Sequence, residues 1–122
     1  MYINTAFCFD HNLVRQVQVA AASLLDHRGS AQTHYYIYCV CTKEAAVVEE
    51  DLRQIVAARD PGSELTMRVA DNPYADSYQV RGISAGTYLR LELHRLLPEV
   101  DKILYTDVDI LFQGSLRELW ET

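Results

Sequence analysis

Residues Thr33–Thr42 read THYYIYCVCT. Aromatic and β-branched residues with two cysteines fill this run, and polar residues do not alternate with apolar ones along it. A half-exposed strand would show that alternation. A run without it predicts a strand covered on both faces, the usual condition in a parallel sheet with helices packed above and below.

Working outward, the flanking segments fit that arrangement. On the N-terminal side, LVRQVQVAAASLLDH (Leu13–His27) places Leu13, Val14, Val17, Ala20, Ala21, Leu24 and Leu25 at helical spacing, and RGS follows as a stop. Before it, YINTAFCF (Tyr2–Phe9) reads as a strand that ends in the polar turn DHN. On the C-terminal side, Thr42 is expected to cap a surface helix over Lys43–Asp60, with Ala45, Val48, Leu52, Ile55 and Val56 on one side and Pro61-Gly62 as its end. SELTMRVA (Ser63–Ala70) predicts a third strand, Asp71–Ile83 a long loop containing Tyr74 and Tyr78, and Ser84–Leu97 a further helix stopped by Pro98. DKILYTDVDILF (Asp101–Phe112) reads as a fourth strand and SLRELWET as the start of another helix. The order β-α-β-α-β-loop-α-β-α predicts one α/β domain over 1–122, a mostly parallel sheet with helices on both faces.

The fourth strand poses a problem of its own, because Asp107 and Asp109 sit inside an otherwise apolar stretch. An ionised carboxylate moved out of water costs several kcal/mol unless it is paired or bound to a cation. Residues two apart on a strand share a face, so the two acids can converge while Val108 faces the other layer. Two readings stand: a site for a hard divalent cation such as magnesium or manganese, or a solvated acidic turn. Ligands of α/β sheets bind beyond the carboxyl ends of the strands, where these acids and the DHN turn both emerge.

Bulk properties exclude several functions. The chain of 122 residues is 49% hydrophobic with a net charge of −6 and no basic block, which argues against general affinity for nucleic acid. No stretch has the apolar length needed to cross a bilayer. Cys8, Cys39 and Cys41 lie in apolar runs without metal-site spacing, as buried thiols in a reducing compartment would, and the chain reads as cytoplasmic. His11, His27, His34 and His94 show no metal spacing either. Asp10 and Asn12 suit N-capping of the first helix, or capping by one and contact with a base or ribose by the other. The turn lacks G-x-G-x-x-G and the P-loop lysine. Arg90, on the third helix, is either a surface arginine or a planar fork turned to phosphate at the sheet mouth.

Three segments, AFCFDHN with AAASL, RGISAGTYLRLELHRLLP, and DKILYTDVDILFQGSLRELW, together resemble the N-terminal half of a family 8 glycosyltransferase. The resemblance implies the GT-A fold, a UDP-hexose donor, transfer with retention, and a manganese or magnesium ion. It assigns Asp107 and Asp109 to the metal and diphosphate, with Asp107 also near the ribose. Asp10 and Asn12 would contact uracil and ribose, the backbone at Cys8 would face the base, and Arg90 would reach towards the donor. Ser84, with Gly82, would line the donor pocket. The acceptor would be a saccharide, a glycolipid or a protein, and the enzyme would be cytoplasmic, peripheral to the inner face of a membrane. The family's later half, with a third metal ligand in a His-x-x-Gly-x-x-Lys-like segment, has no counterpart here, so the resemblance implies a truncated sheet and self-association in solution. Two alternatives remain at this point: a non-catalytic nucleotide-sugar binding remnant, and a flavodoxin-like or receiver domain with an acidic metal pocket.

Overall fold

The computed structural model describes residues 1–70 and 93–122. Tyr74, Tyr78, Gly82, Ser84, Arg90 and most of the helix expected over Ser84–Leu97 lie outside the described residues.

The first strand, β1, runs Tyr2–Phe9 as its composition predicts. A 3-10 turn, His11–Leu13, leads into α1, Val14–Asp26. The apolar run analysed first forms β2, His34–Cys41. It is followed by a second 3-10 turn, Glu44–Val48, by α2, Glu49–Arg59, and by β3, Glu64–Val69. Among the described residues there follow a helical turn α3, Leu93–Leu96, a two-residue strand β4, Leu104–Tyr105, and a last turn α4, Arg117–Trp120.

The four strands form one sheet in the order β3-β2-β1-β4, all parallel. Tyr2 lies opposite His34 and Phe9 opposite Cys41, so β1 and β2 pair along their whole length. Right-handed crossovers put α1 and α2 on one face while the chain steps from β1 to β3, and α3 with Leu97, which precede β4, pack on the other face. The core divides accordingly. Ile3, Phe7 and Phe9 of β1 pack with Val17, Leu24 and Leu52 of the two helices, whereas Cys8 and Val40 pack with Leu97 and, at its edge, Leu93 and Leu96. Both faces are therefore covered, as the apolar run on β2 predicts. The order also separates this sheet from flavodoxin-like and receiver domains, in which β1 lies between β2 and β3.

Three local expectations are corrected. Of the stretch Asp101–Phe112, only Leu104–Tyr105 pairs with the sheet, and the chain leaves the ladder after Thr106, whose N–H donates to the Ala6 carbonyl at 3.3 Å. Its carboxylates gain water by this departure, which a continued buried ladder would deny them. Lys43–Asp60 is not one helix, because its first turn winds as 3-10 before α2 begins. Nor does the Thr42 hydroxyl cap it: that oxygen is buried without a hydrogen-bond partner, and the Thr42 carbonyl instead accepts from Ala45 N–H at 3.1 Å.

Close packing at the opposite end of the sheet makes a testable point. A Cβ placed on Gly62 would lie 2.5 Å from His34 Cε1 and 2.7 Å from its Nδ1. The imidazole cannot easily yield, since the Tyr2 ring lies 5.3 Å away by centroids and Asp60 Oδ2 holds Nδ1 at 2.8 Å. Gly62→Ala is expected to destabilise the fold by about 1–3 kcal/mol. Urea unfolding checks this, and an unchanged midpoint would mean the ring moves freely.

Candidate functional site

Strand order determines where a site can form. In open parallel sheets the ligand crevice lies beyond the carboxyl ends of the strands, at the point where the strand order reverses. Here that place lies between β1 and β4. Ala6 pairs with Tyr105, and four residues further along each chain come Asp10 and Asp109. Two remote acidic segments thus reach one end of the sheet.

Asp10 is 3% exposed and caps the 3-10 turn: its Oδ1 accepts from Asn12 N–H at 2.9 Å, and its carbonyl accepts from Leu13 N–H at 3.1 Å. Asn12 itself is exposed on the turn. The capping reading of this pair therefore holds for Asp10, while the Asn12 side chain faces solvent. Cys8, one residue short of the end of β1, is buried at 7% exposure.

Beyond β4 the alternation expected of a strand persists without the ladder. Asp107 and Asp109 are exposed, and Val108 between them is 3% exposed in the core with Phe7 and Phe112. The Tyr105 hydroxyl donates to Asp107 Oδ1 at 3.4 Å. Asp109 also borders a cleft of about 490 Å³, formed by Arg15, Gln16 and Val19 of α1 and the Val108–Leu111 stretch. Another cleft, of about 420 Å³, lies between α2 and β3 and involves none of Asp10, Asp107 and Asp109. Among the described residues no three His, Cys, Asp or Glu side chains gather into a metal-sized cluster.

All three cysteines are buried thiols. Burial, with Cys41 and Cys8 adding to it, pushes the Cys39 thiol far up, and burial followed by the Glu49 charge pushes Cys41 up to about 11. Neither is a thiolate at neutral pH, so both are expected to resist a disulfide reagent until the protein unfolds. Mass spectrometry after native labelling at mildly alkaline pH checks this, and prompt modification of Cys39 would contradict its burial.

Two polar elements escaped the sequence reading. Ser23, 6% exposed inside α1, accepts from Phe112 N–H at 2.9 Å. Asp60, 4% exposed, gathers His34, Ser63, Gly62 and Arg28 beneath the sheet. The available signal for Ser23 was a serine in a helix interior, where its side chain usually competes with the helix and so needs a reason.

Comparison with known proteins agrees with this architecture. A putative glycosyltransferase of Haemophilus influenzae is 47% identical over 38 residues, which is 31% of this chain and 12% of that protein. The galactosyltransferase LgtC, solved in complex with donor and acceptor sugar analogs, superposes with a TM-score of 0.81 at 25% identity, over 98% of this chain and 42% of its own. The bifunctional glycosyltransferase WbbM, in its apo structure, shares the fold with a TM-score of 0.79 at 21% identity, over 99% of this chain and 21% of its own. The chain thus spans less than half of each of these proteins. GT-A architecture accounts for the parallel sheet and its switch point, and since residues 4–122 match the model of glycosyl transferase family 8, the chain belongs to that family.

Proposed function

We propose that residues 1–122 form the donor-binding part of a sugar transferase that takes a hexose from UDP-hexose and transfers it to an acceptor hydroxyl with retention. The observation that carries this reading is the pair of exposed carboxylates, Asp107 and Asp109, held on either side of buried Val108 at the β1/β4 switch point of a family 8 chain.

The donor set suits a hard cation, manganese or magnesium. Two carboxylates supply hard oxygen ligands, and the four or so positions remaining in a six-ligand shell match diphosphate oxygens and water. Asp107 and Asp109 would hold that ion, which when bound offsets the negative charge of the UDP leaving group. The remaining work falls to the chain's own groups. Asp10, fixed by its cap through one carboxylate oxygen, and Asn12, exposed beside it, are assigned to ribose and uracil. The backbone at Cys8 is assigned to the base, Arg90 to the donor, and Ser84 to the lining of the donor pocket. In the reaction the bond from the anomeric carbon to the diphosphate oxygen breaks, UDP departs with the bonding electrons, and the acceptor oxygen bonds on the same face and loses its proton. The acceptor is a saccharide, free or carried on lipid or protein. Among the described residues no helix is long and apolar enough to cross a membrane. The buried thiols support a reducing, cytoplasmic setting.

Calorimetric titration of UDP in the presence of manganese and in the presence of a chelator tests the reading. Ligands that share a shell raise each other's affinity, so UDP is expected to bind about tenfold tighter or more with manganese. Equal affinity in both conditions would leave the acids a solvated turn.

A further inference from the structure

The residues that carry Asp107 and Asp109 have left the sheet, so something else must set their position. Thr106 N–H makes the last sheet-like bond, to the Ala6 carbonyl at 3.3 Å. The next anchor is Phe112 N–H, which donates to Ser23 Oγ at 2.9 Å across 89 residues of sequence. Between these two points, among the described residues, 107–111 make no backbone–backbone hydrogen bond. The acidic segment is therefore a span tied at both ends, pinned between them by buried Val108.

Ser23 is well suited to be the second tie. It sits in the buried stripe of α1 beside Ala20, Ala21 and Leu24. Its hydroxyl donates to the Ala20 carbonyl at 2.9 Å, which orients its lone pairs and fixes the acceptor that Phe112 uses. An alanine would pack equally well there and favour the helix more. What alanine lacks is an acceptor for a buried amide that has no place in any ladder, and such an amide needs one. The Phe112 ring packs 6.4 Å from that of Phe7 by centroids, so the tie joins α1, the sheet and the acidic span in one small region.

We propose that Ser23 is a positioning residue for the donor site: its bond to Phe112 fixes the far end of the span and with it the approach of Asp109 to Asp107. This rests on the donor-site reading above. Loss of the tie loosens the geometry of the two carboxylates without touching the turn at Asp10 and Asn12. The metal-linked part of UDP binding is then affected and the metal-free part is spared.

The test compares the wild-type chain with Ser23→Ala, Ser23→Cys and Ser23→Thr. UDP is titrated with manganese and with a chelator, and Phe112 amide exchange is followed by NMR. Ser23→Ala is expected to bind UDP without metal as wild type does, to lose about fivefold of the manganese-dependent gain, and to exchange the Phe112 amide faster. Ser23→Thr, which keeps the hydroxyl, is expected to restore both properties. Ser23→Cys keeps the packing with a weaker acceptor and falls between, so it serves if the alanine variant does not fold. A full manganese gain in Ser23→Ala, or in Ser23→Cys where alanine is unfolded, overturns the proposal. So does an equal loss of binding with and without metal, which marks general damage. If wild type shows no manganese gain, the donor-site reading itself fails and the positioning role falls with it. That outcome is distinct from a wild-type gain that survives the substitutions.

Discussion

Asp109→Asn is expected to abolish the manganese-dependent gain in UDP affinity and, in an enzyme containing this half, to lower sugar transfer by about 10²- to 10³-fold, the usual effect of removing one electrostatic contact to a developing charge. The substitution keeps the shape of the side chain and replaces an anionic oxygen by a neutral amide oxygen, a much weaker ligand for a hard cation. It should leave the fold intact. Asp109 is exposed, its neighbour Val108 holds the backbone from the core side, and one member of a like-charged pair loses its charge, so thermal unfolding should shift little or slightly upward. Retention of the full manganese gain in a folded Asp109→Asn chain would remove this aspartate from the site. A large drop in melting temperature would mean that the carboxylate has a structural role instead.

Asp60→Ala is expected to cost about 3 kcal/mol of stability, the range for breaking a buried ion pair with its hydrogen bonds. The carboxylate accepts from Ser63 Oγ at 2.5 Å, Gly62 N–H at 3.2 Å and His34 Nδ1 at 2.8 Å, and Arg28 Nη1 lies 3.5 Å away. Since an ionised carboxylate only accepts, the His34 nitrogen facing it is the one that carries the proton. Ser63 also accepts from Tyr35 N–H at 2.9 Å, which links the cluster to β2. Burial alone would raise the Asp60 pKa, but the bonds from Ser63, His34 and Gly62, with the Arg28 charge, outweigh it and hold the carboxyl below its ordinary 3.8. The ionised form is thus favoured by folding. Its contribution is fully present above 3.8 and is lost as pH falls from there through the lower folded value. Urea unfolding near neutrality should therefore show the full difference between wild type and Asp60→Ala, and the difference should narrow below 3.8. A difference that stays constant across that window would assign the effect to packing instead of charge.

Much of the architecture was legible because it depends on neighbours in sequence. The unbroken apolar run of β2 announced a strand covered on both faces, and the spacing of Val17, Ala20, Ala21 and Leu24 announced the buried stripe of α1. The limits of β1 followed from composition and the DHN turn. The alternation of Asp107, Val108 and Asp109 was likewise legible, and it survives in their exposures. Residue identity alone determined these features, since side-chain periodicity and turn chemistry act over a few residues.

Only the tertiary structure decided the rest. The order β3-β2-β1-β4 puts the switch point beside β4, a matter of which strands pair across long connections. The acidic span leaves the ladder after Thr106 although β1 runs on to Phe9, whereas apolar composition alone had predicted a longer strand. The ties that hold the molecule's polar groups also join distant segments: Ser23 with Phe112, and His34 with Asp60. A lone serine in a helix or a lone aspartate before a Pro-Gly turn looks ordinary in sequence. Each acquires its role from the buried partner that folding brings within hydrogen-bond reach, where an unmet donor or charge is too costly to leave.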